Sequence, residues 1–478
     1  MKLSTLLKDV ETHSVYEDVE VERVTDNNKD NLENALYVCI DGNRFDGHTL
    51  AKNAIESGAV AVLTSYDLGI KNQIIVENTR RAYAKFSANF YGNPAEKLKL
   101  IGVTGTNGKT STAFFIKGIL ENIGKKSGII GTVKNSVGGS DSEATRTTPE
   151  PMKLHKLFKQ MVDNGCEYCV MEVSSQGLHQ ERVYGLHFDG TVLTNITPEH
   201  LDYHGNIQNY IDAKLCLFNM AEFACINIDD DNVKSIKNKI SCPQTTVSAI
   251  YNEADYTAKN IVCAENGVKY EFVGMDCIGR IELKIPGRFT VYNSLCAVAL
   301  LIKMGFSIDD ISNACKNLDY INGRAEIVKI PRNFTVMIDY AHTPDGLESI
   351  LHTVREFTKG RVITVFGCGG DRDKSKRAKM GRIAGDLSDL AVVTSDNPRT
   401  ENPILIINDI LYGMEKAKSR IAVIENRRQA IEFALSKARK GDLVLLACKG
   451  HEIYQIVGNE KKPFDERKIV KDYFENKF

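Results

Sequence analysis

The amino-acid sequence predicts an α/β protein of three domains built on mostly parallel sheets. Two observations predict it. Apolar runs, each followed by Gly or a polar residue and then by helical periodicity, recur at Ala59 to Leu63, Leu100 to Val103, Tyr168 to Met171, Gly190 to Leu193, Val336 to Ile338, Val362 to Phe366, Leu390 to Thr394 and Leu443 to Ala447. Strands that alternate with helices assemble into parallel sheets covered by those helices. The chain has 478 residues, and at roughly 150 residues per domain such a length carries about three cores.

Residues 1–97 form the first expected domain, with the polar loop Asp41-Gly42-Asn43-Arg44-Phe45-Asp46-Gly47-His48 ahead of a helix and strand from Ala51 to Leu63. The second, 98–322, opens on a buried strand that ends at Val103 and runs into a Gly-rich loop. The third, 323–478, follows Asn322-Gly323-Arg324 and carries four of the apolar runs.

Hydrophobic residues at 42% and charged residues at 26% exclude general disorder. Lys plus Arg number 61 against 62 Asp plus Glu, a net charge of -1, so no global basic field holds nucleic acid or an anionic membrane. The first residues lack the apolar core of a signal peptide, and no apolar run approaches membrane-spanning length. The expectation is a cytoplasmic protein, monomeric, acting on small molecules without nucleic acid or membrane insertion. Its 12 cysteines show no paired C-x-x-C framework, which argues against disulfides and a cysteine-bound zinc.

Gly105-Thr106-Asn107-Gly108-Lys109-Thr110-Ser111 sits between a strand and the helix Thr112 to Asn122. Backbone N–H groups freed by the glycines, the helix N-terminus, Lys109 and the Thr110 hydroxyl make up the parts of an ATP and magnesium cradle. The strict phosphate-loop pattern needs Gly where Val103 stands, so this is a variant loop, with an ordinary strand-to-helix turn as the alternative. Glu172 ends a strand where carboxylates face the ligand crevice, a placement that suits magnesium. His200, in Thr197-Pro198-Glu199-His200-Leu201-Asp202-Tyr203-His204-Gly205, is either a ligand or a hydrogen-bonded loop histidine. For Lys214, in the apolar helix Tyr210 to Phe218, spacing alone favours a snorkelling surface lysine.

Taken together these motifs resemble the Mur ligases, and within them the enzymes that add the third amino acid to UDP-N-acetylmuramoyl-L-alanyl-D-glutamate. The resemblance runs through Gly105 to Thr110, Thr147-Thr148-Pro149-Glu150, Met171 to Ser175, His200 to Gly205, Ala213-Lys214, Asp339-Tyr340-Ala341-His342, Gly367 to Asp373, Asp396-Asn397-Pro398-Arg399 and Lys449-Gly450-His451-Glu452. It implies a UDP-sugar-binding N-terminal α/β domain, a central P-loop-type ATPase domain and a C-terminal Rossmann-like domain for the amino acid. It also implies ATP as substrate and Mg2+ as cofactor, with Thr110 and Glu172 on one ion and His200 with a carbamylated Lys214 on a second. Asn293 is then an adenine contact, and Arg324, Asp339 and His342 complete the nucleotide site; a linker ion pair is the other reading of Arg324. Thr147, Thr148, Ser174, Gln180 and Arg182 correspond to muramoyl-dipeptide positions. Asn27 and Asn28 replace the family's Ser-Arg pair, leaving Asn27 to hydrogen-bond the pyrimidine.

Asp396-Asn397-Pro398-Arg399 follows a strand, and its arginine offers a planar fork for a carboxylate, while Asp396, Asn397 and Glu452 suit an ammonium group. A diamino-dicarboxylic acid fits this set better than lysine. By resemblance the motif marks the meso-diaminopimelate-adding type, with Arg372 also on the amino acid and Cys448 where Gly is usual. The sequence-level reading is therefore an ATP-dependent amide ligase working through an acyl phosphate. The alternatives are a lysine-adding relative, a divergent paralogue using another amine, a folylpolyglutamate synthetase relative, or an ATP-binding switch that does not ligate.

Overall fold

The computed structural model describes residues 1–42 and 45–475, so Asn43 and Arg44 of the polar loop lie outside the described residues. Three large sheets carry the architecture, and their strands come from residues 23–75, 99–283 and 326–447. The first has four parallel strands, Arg23–Thr25, Ala35–Val38, Ala61–Thr64 and Gln73–Ile75. His48, buried behind the polar loop, bonds Asp46 through Nδ1 at 2.6 Å and the Ser65 hydroxyl through Nε2 at 3.0 Å, pinning that loop to the sheet.

The central sheet has eleven strands. Its middle runs in parallel in the order Ser127–Ile130, Tyr168–Glu172, Lys99–Thr104, Gly190–Leu193, Ala224–Asn227, so the first strand in sequence lies between the third and the fourth. Apart from Lys99, the strand Lys99–Thr104 is buried throughout, and burial on both faces is why its sequence is continuously apolar rather than alternating. Val103 is a strand residue paired with Glu172, which explains why glycine is not needed there. Antiparallel hairpins extend both edges: Lys134–Val137 with Ser140–Glu143, and Gly267–Gly274 with Ile278–Leu283. The helix Arg288–Lys303 is apolar almost all round and buried along most of its length, as a helix inside a core must be.

The C-terminal sheet is parallel apart from its edge strand Glu326–Val328, with Leu443–Ala447 inserted between Thr335–Asp339 and Val362–Phe366. Helices Pro344–Phe357, Ser375–Leu387 and Pro403–Tyr412 share the core on one side, and Arg427–Lys437 with Glu466–Glu475 cover the other. This is a doubly wound arrangement, and the reversal of strand order opens a crevice at the strands' C-terminal ends. No helix among the described residues is long and apolar enough to cross a membrane.

Candidate active site

One cleft of about 730 Å3 collects residues from the central and C-terminal domains. At its floor Gly108 caps the helix Lys109–Asn122 with φ +86°, a left-handed conformation that glycine adopts freely. A Cβ there would strike the Asn293 amide, so the buried helix Arg288–Lys303 delivers Asn293 onto the loop, where the family resemblance implies an adenine contact. Lys109 Nζ donates to the carbonyls of Gly105 at 2.9 Å and Thr106 at 2.8 Å. Burial lowers its pKa against the opposing pull of the Glu199 and Glu172 carboxylates. Asn107 N–H donates to Asn195 Oδ1 at 2.8 Å, and Ser111 completes the lining.

Glu172, fully buried, accepts hydrogen bonds from Thr110 Oγ1 at 2.9 Å and from the Thr132 N–H and hydroxyl at 2.8 and 3.0 Å. Arg324 Nη2 reaches across from the third domain to Thr110 Oγ1 at 3.1 Å, and its guanidinium lies 4.9 Å from the centre of the Tyr340 ring. Arg324 is thus placed against the Gly-rich loop, with no carboxylate among its hydrogen-bond partners in the described residues. Asp339 accepts from the N–H groups of Ala325 at 2.7 Å and Ala341 at 2.8 Å, which fixes the left-handed Ala325 beside Arg324. Burial raises the Asp339 pKa, and Arg324 opposes that rise.

Lys214 corrects the reading from spacing. Its side chain is 2% exposed, its Nζ donates to the Gly105 carbonyl at 2.8 Å, and the Tyr210 ring centre lies 4.6 Å away. Burial, with Lys109 next in effect, holds its pKa well below the lysine range. His200 has φ +55° and keeps an open side chain 3.9 Å from Glu199, while His342 approaches the same carboxylate at 3.8 Å from the third domain. Burial pushes the His342 imidazole down to about 4. Glu199 is the residue that sequence reasoning passed over. Burial would raise its carboxyl, but His200, Lys109, His342 and Lys214 together hold it below the usual range. Its position directly before His200 was the available signal.

Thr110 and Glu172 offer hard oxygen donors at the cleft floor, a set that fits magnesium. Among the described residues no group of three or more His, Cys, Asp and Glu side chains could hold a metal, and magnesium commonly takes one or two protein oxygens and fills its octahedron with phosphate and water.

Toward the expected muramoyl-dipeptide end, Thr147 and Ser174 line the cleft. Three other expected contacts stand behind them. The Thr148 hydroxyl bonds the Glu172 carbonyl at 2.9 Å and accepts from Ser174 N–H at 3.0 Å. Arg182, 3% exposed, spends its guanidinium on the Thr148 carbonyl at 2.7 Å, on Gln180 and on Glu150 at 3.1 Å; Gln180 also donates to the Tyr203 hydroxyl at 3.0 Å. Arg182 is therefore a buttress in this structure rather than an open anion site. Asn27 is away from the cleft and uses its amide inside its own turn, with Lys29 N–H and Asp30.

At the expected amino-acid end, Arg399 has φ +52° and donates through Nη1 to the Gly370 carbonyl at 2.8 Å. Arg372 lies near it: burial, and then the Arg399 charge, lower its pKa. Two guanidinium groups facing one space make a site for an anion. The expectation of a free acidic cradle is corrected, because the fully buried Lys449 already occupies it. Its ammonium lies 3.4 Å from Asp396 Oδ1, 3.1 Å from Asn397 Oδ1 and 3.1 Å from Glu452 Oε2. The signal was its spacing of three from Glu452 in the Lys-Gly-His-Glu run. Burial raises the Glu452 carboxyl, and Lys449 opposes it. Cys448 stands at φ +86°, which explains why glycine is comfortable at this place, and its thiol donates to the Ala341 carbonyl at 3.2 Å.

The comparisons agree with this arrangement. The model of the Mur ligase middle domain matches residues 103–301 and that of the Mur ligase glutamate ligase domain matches 323–450. The chain is 42% identical to a UDP-N-acetylmuramoyl-L-alanyl-D-glutamate–2,6-diaminopimelate ligase of Clostridium botulinum, covering 99% of both chains. It is 43% identical to the Clostridium perfringens protein of the same name over all of both chains. A solved structure of a ligase with that name matches with TM-score 0.64 at 30% identity, covering 90% of each chain. The ADP complex of a MurF ligase from Thermotoga maritima shares the fold at TM-score 0.64 and 17% identity, covering 96% of this chain and 98% of that one. With two family models in sequence, full-length relatives, and the phosphate loop facing the Asp-Asn-Pro-Arg motif across one cleft, the chain belongs to the Mur ligase family.

Proposed function

We propose that this protein is the ATP-dependent ligase that joins meso-2,6-diaminopimelate to UDP-N-acetylmuramoyl-L-alanyl-D-glutamate. The observation that carries the reading is the single cleft holding Lys109, Glu172 and Arg324 at one end and Arg372 and Arg399 at the other. The D-glutamyl side-chain carboxylate attacks the γ-phosphorus of ATP, giving an acyl phosphate and ADP. The amine of diaminopimelate then attacks the acyl carbon; the amide forms, phosphate leaves, and the amine gives up a proton.

Lys109 and Arg324 neutralise charge on the transferring phosphoryl group, and Asn293 fixes the nucleotide against the loop. Arg399 and Arg372 orient the distal carboxylate so that the attacking amine points down the cleft. Thr110 and Glu172, and at a second place His200 with a carbamylated Lys214, would hold magnesium, which would supply neutralisation of the triphosphate. Because Lys449 already satisfies Asp396, Asn397 and Glu452, selection rests on the carboxylate more than on the distal ammonium. ATP-dependent product formation with a panel of amino acids, read by mass, tests the reading: diaminopimelate is expected as the preferred acceptor. Preference for lysine, or ATP hydrolysis without ligation, overturns it.

A further inference from the structure

We propose that the hairpin of strands Tyr454–Val457 and Glu460–Pro463 is a strap that couples closure of the C-terminal domain to the shape of the amino-acid site, with Lys461 and Glu143 as its latch. The proposal rests on the assignment of Asp396 to Arg399 as the amino-acid motif. Nearly every member of that motif is tied to one strand of the hairpin. Gln455 Nε2 donates to the Asp396 carbonyl at 2.5 Å, and Ile456 N–H donates to Asn397 Oδ1 at 3.0 Å. Arg399 N–H donates to the Ile456 carbonyl at 3.1 Å, and Gly458 N–H returns to the Arg399 carbonyl at 2.8 Å. The left-handed backbone that aims the Arg399 guanidinium is thus held from the hairpin on both sides.

Ile456 and Lys461 are register partners, so the residue that grips the motif faces the residue that carries the latch. Lys461 Nζ lies 3.9 Å from the Tyr454 ring centre and 2.5 Å from Glu143 Oε1 of the central domain. Glu143 in turn is the strand-register partner of Lys134, two residues beyond the Thr132 that bonds Glu172. The pair therefore bridges the strand that shapes the amino-acid site and the edge hairpin that leads to the phosphoryl site. Both partners are about half exposed or more, 49% and 71%. Such a pair adds little to stability and breaks readily, as a latch reopened in every cycle requires.

The test is charge reversal in the full-length enzyme: Lys461→Glu, Glu143→Lys and the double variant, with all three substrates varied in turn. Each single reversal is expected to raise the KM for the amino acid about three- to tenfold, leave the KM for ATP within about twofold and leave the melting temperature unchanged; the double reversal is expected to return the amino-acid KM to within about twofold of the unmodified enzyme. An unchanged amino-acid KM, an equal rise in the KM for ATP, or a double variant no better than the singles overturns the latch. If a reversal variant does not fold, Lys461→Gln reads the same split. The amino acid varied is whichever the unmodified enzyme uses, so failure of the diaminopimelate assignment shows as a different substrate and failure of the latch as indifference to charge.

Discussion

Lys109 and Lys214, 105 residues apart in sequence, place their side-chain nitrogens on the same carbonyl oxygen, that of Gly105, at 2.9 and 2.8 Å. Two ammonium groups so close and so buried repel, which disfavours the charged form of each. The effect is greater on Lys214, where burial and then Lys109 lower the pKa well below the lysine range. The carbamate implied by the family resemblance would be an anion that Lys109 attracts.

Lys214→Ala is expected to lose most activity, and short carboxylic acids to restore part of it by replacing the missing anion. Lys109→Met should weaken a carbamate on Lys214, because it removes the neighbouring cation that would stabilise that anion. Carbon-13 spectra of protein in labelled bicarbonate read this directly, and an equal carbamate signal in Lys109→Met contradicts the coupling.

Lys109→Ala is expected to abolish turnover while the fold survives, since the side chain packs on loop carbonyls and serves the phosphoryl group. Circular dichroism and thermal melting check the fold; ligation at the unmodified rate by a folded variant removes Lys109 from the mechanism.

Arg399→Ala is expected to raise the KM for diaminopimelate strongly, because truncating one partner of a desolvated charge pair costs about 2 to 5 kcal/mol, roughly 30-fold to several thousand-fold. The KM for ATP and for the muramoyl-dipeptide should move little. Steady-state kinetics check it, and a change within about threefold refutes the role.

His155 provides a test of stability away from the cleft. It is 2% exposed on the helix Pro151–Asp163, and burial pushes its pKa from 6.5 down to about 4. The unfolded chain then binds the proton between those values and the folded chain does not, so stability falls as pH drops from 6.5 toward 4. The loss approaches about 3 kcal/mol at the low end of that window. His155→Leu should flatten that part of the profile in denaturant titrations across pH; an unaltered slope shows that His155 is not its source.

The sequence alone determined the strand–loop–helix order, the phosphate loop and the motif that ends in Arg399, because apolar runs, glycines and charged forks at fixed spacing are local and follow from backbone geometry. It also determined that Glu172 faces the crevice, since a residue ending a parallel strand has that direction. Only the tertiary structure decided the rest. By spacing alone Lys214 read as a surface lysine, because helical spacing does not show that a loop 109 residues earlier supplies the Gly105 carbonyl that buries it. Arg182 read as an anion ligand and Asp396 with Glu452 as an open cradle, because a sequence shows which groups can pair and not which internal partner reaches them first. Glu150 and Thr148 claimed Arg182, and Lys449 claimed the acids. Where a charged group is buried, the chain must neutralise it before any ligand arrives, and that settlement is made by contacts distant in sequence.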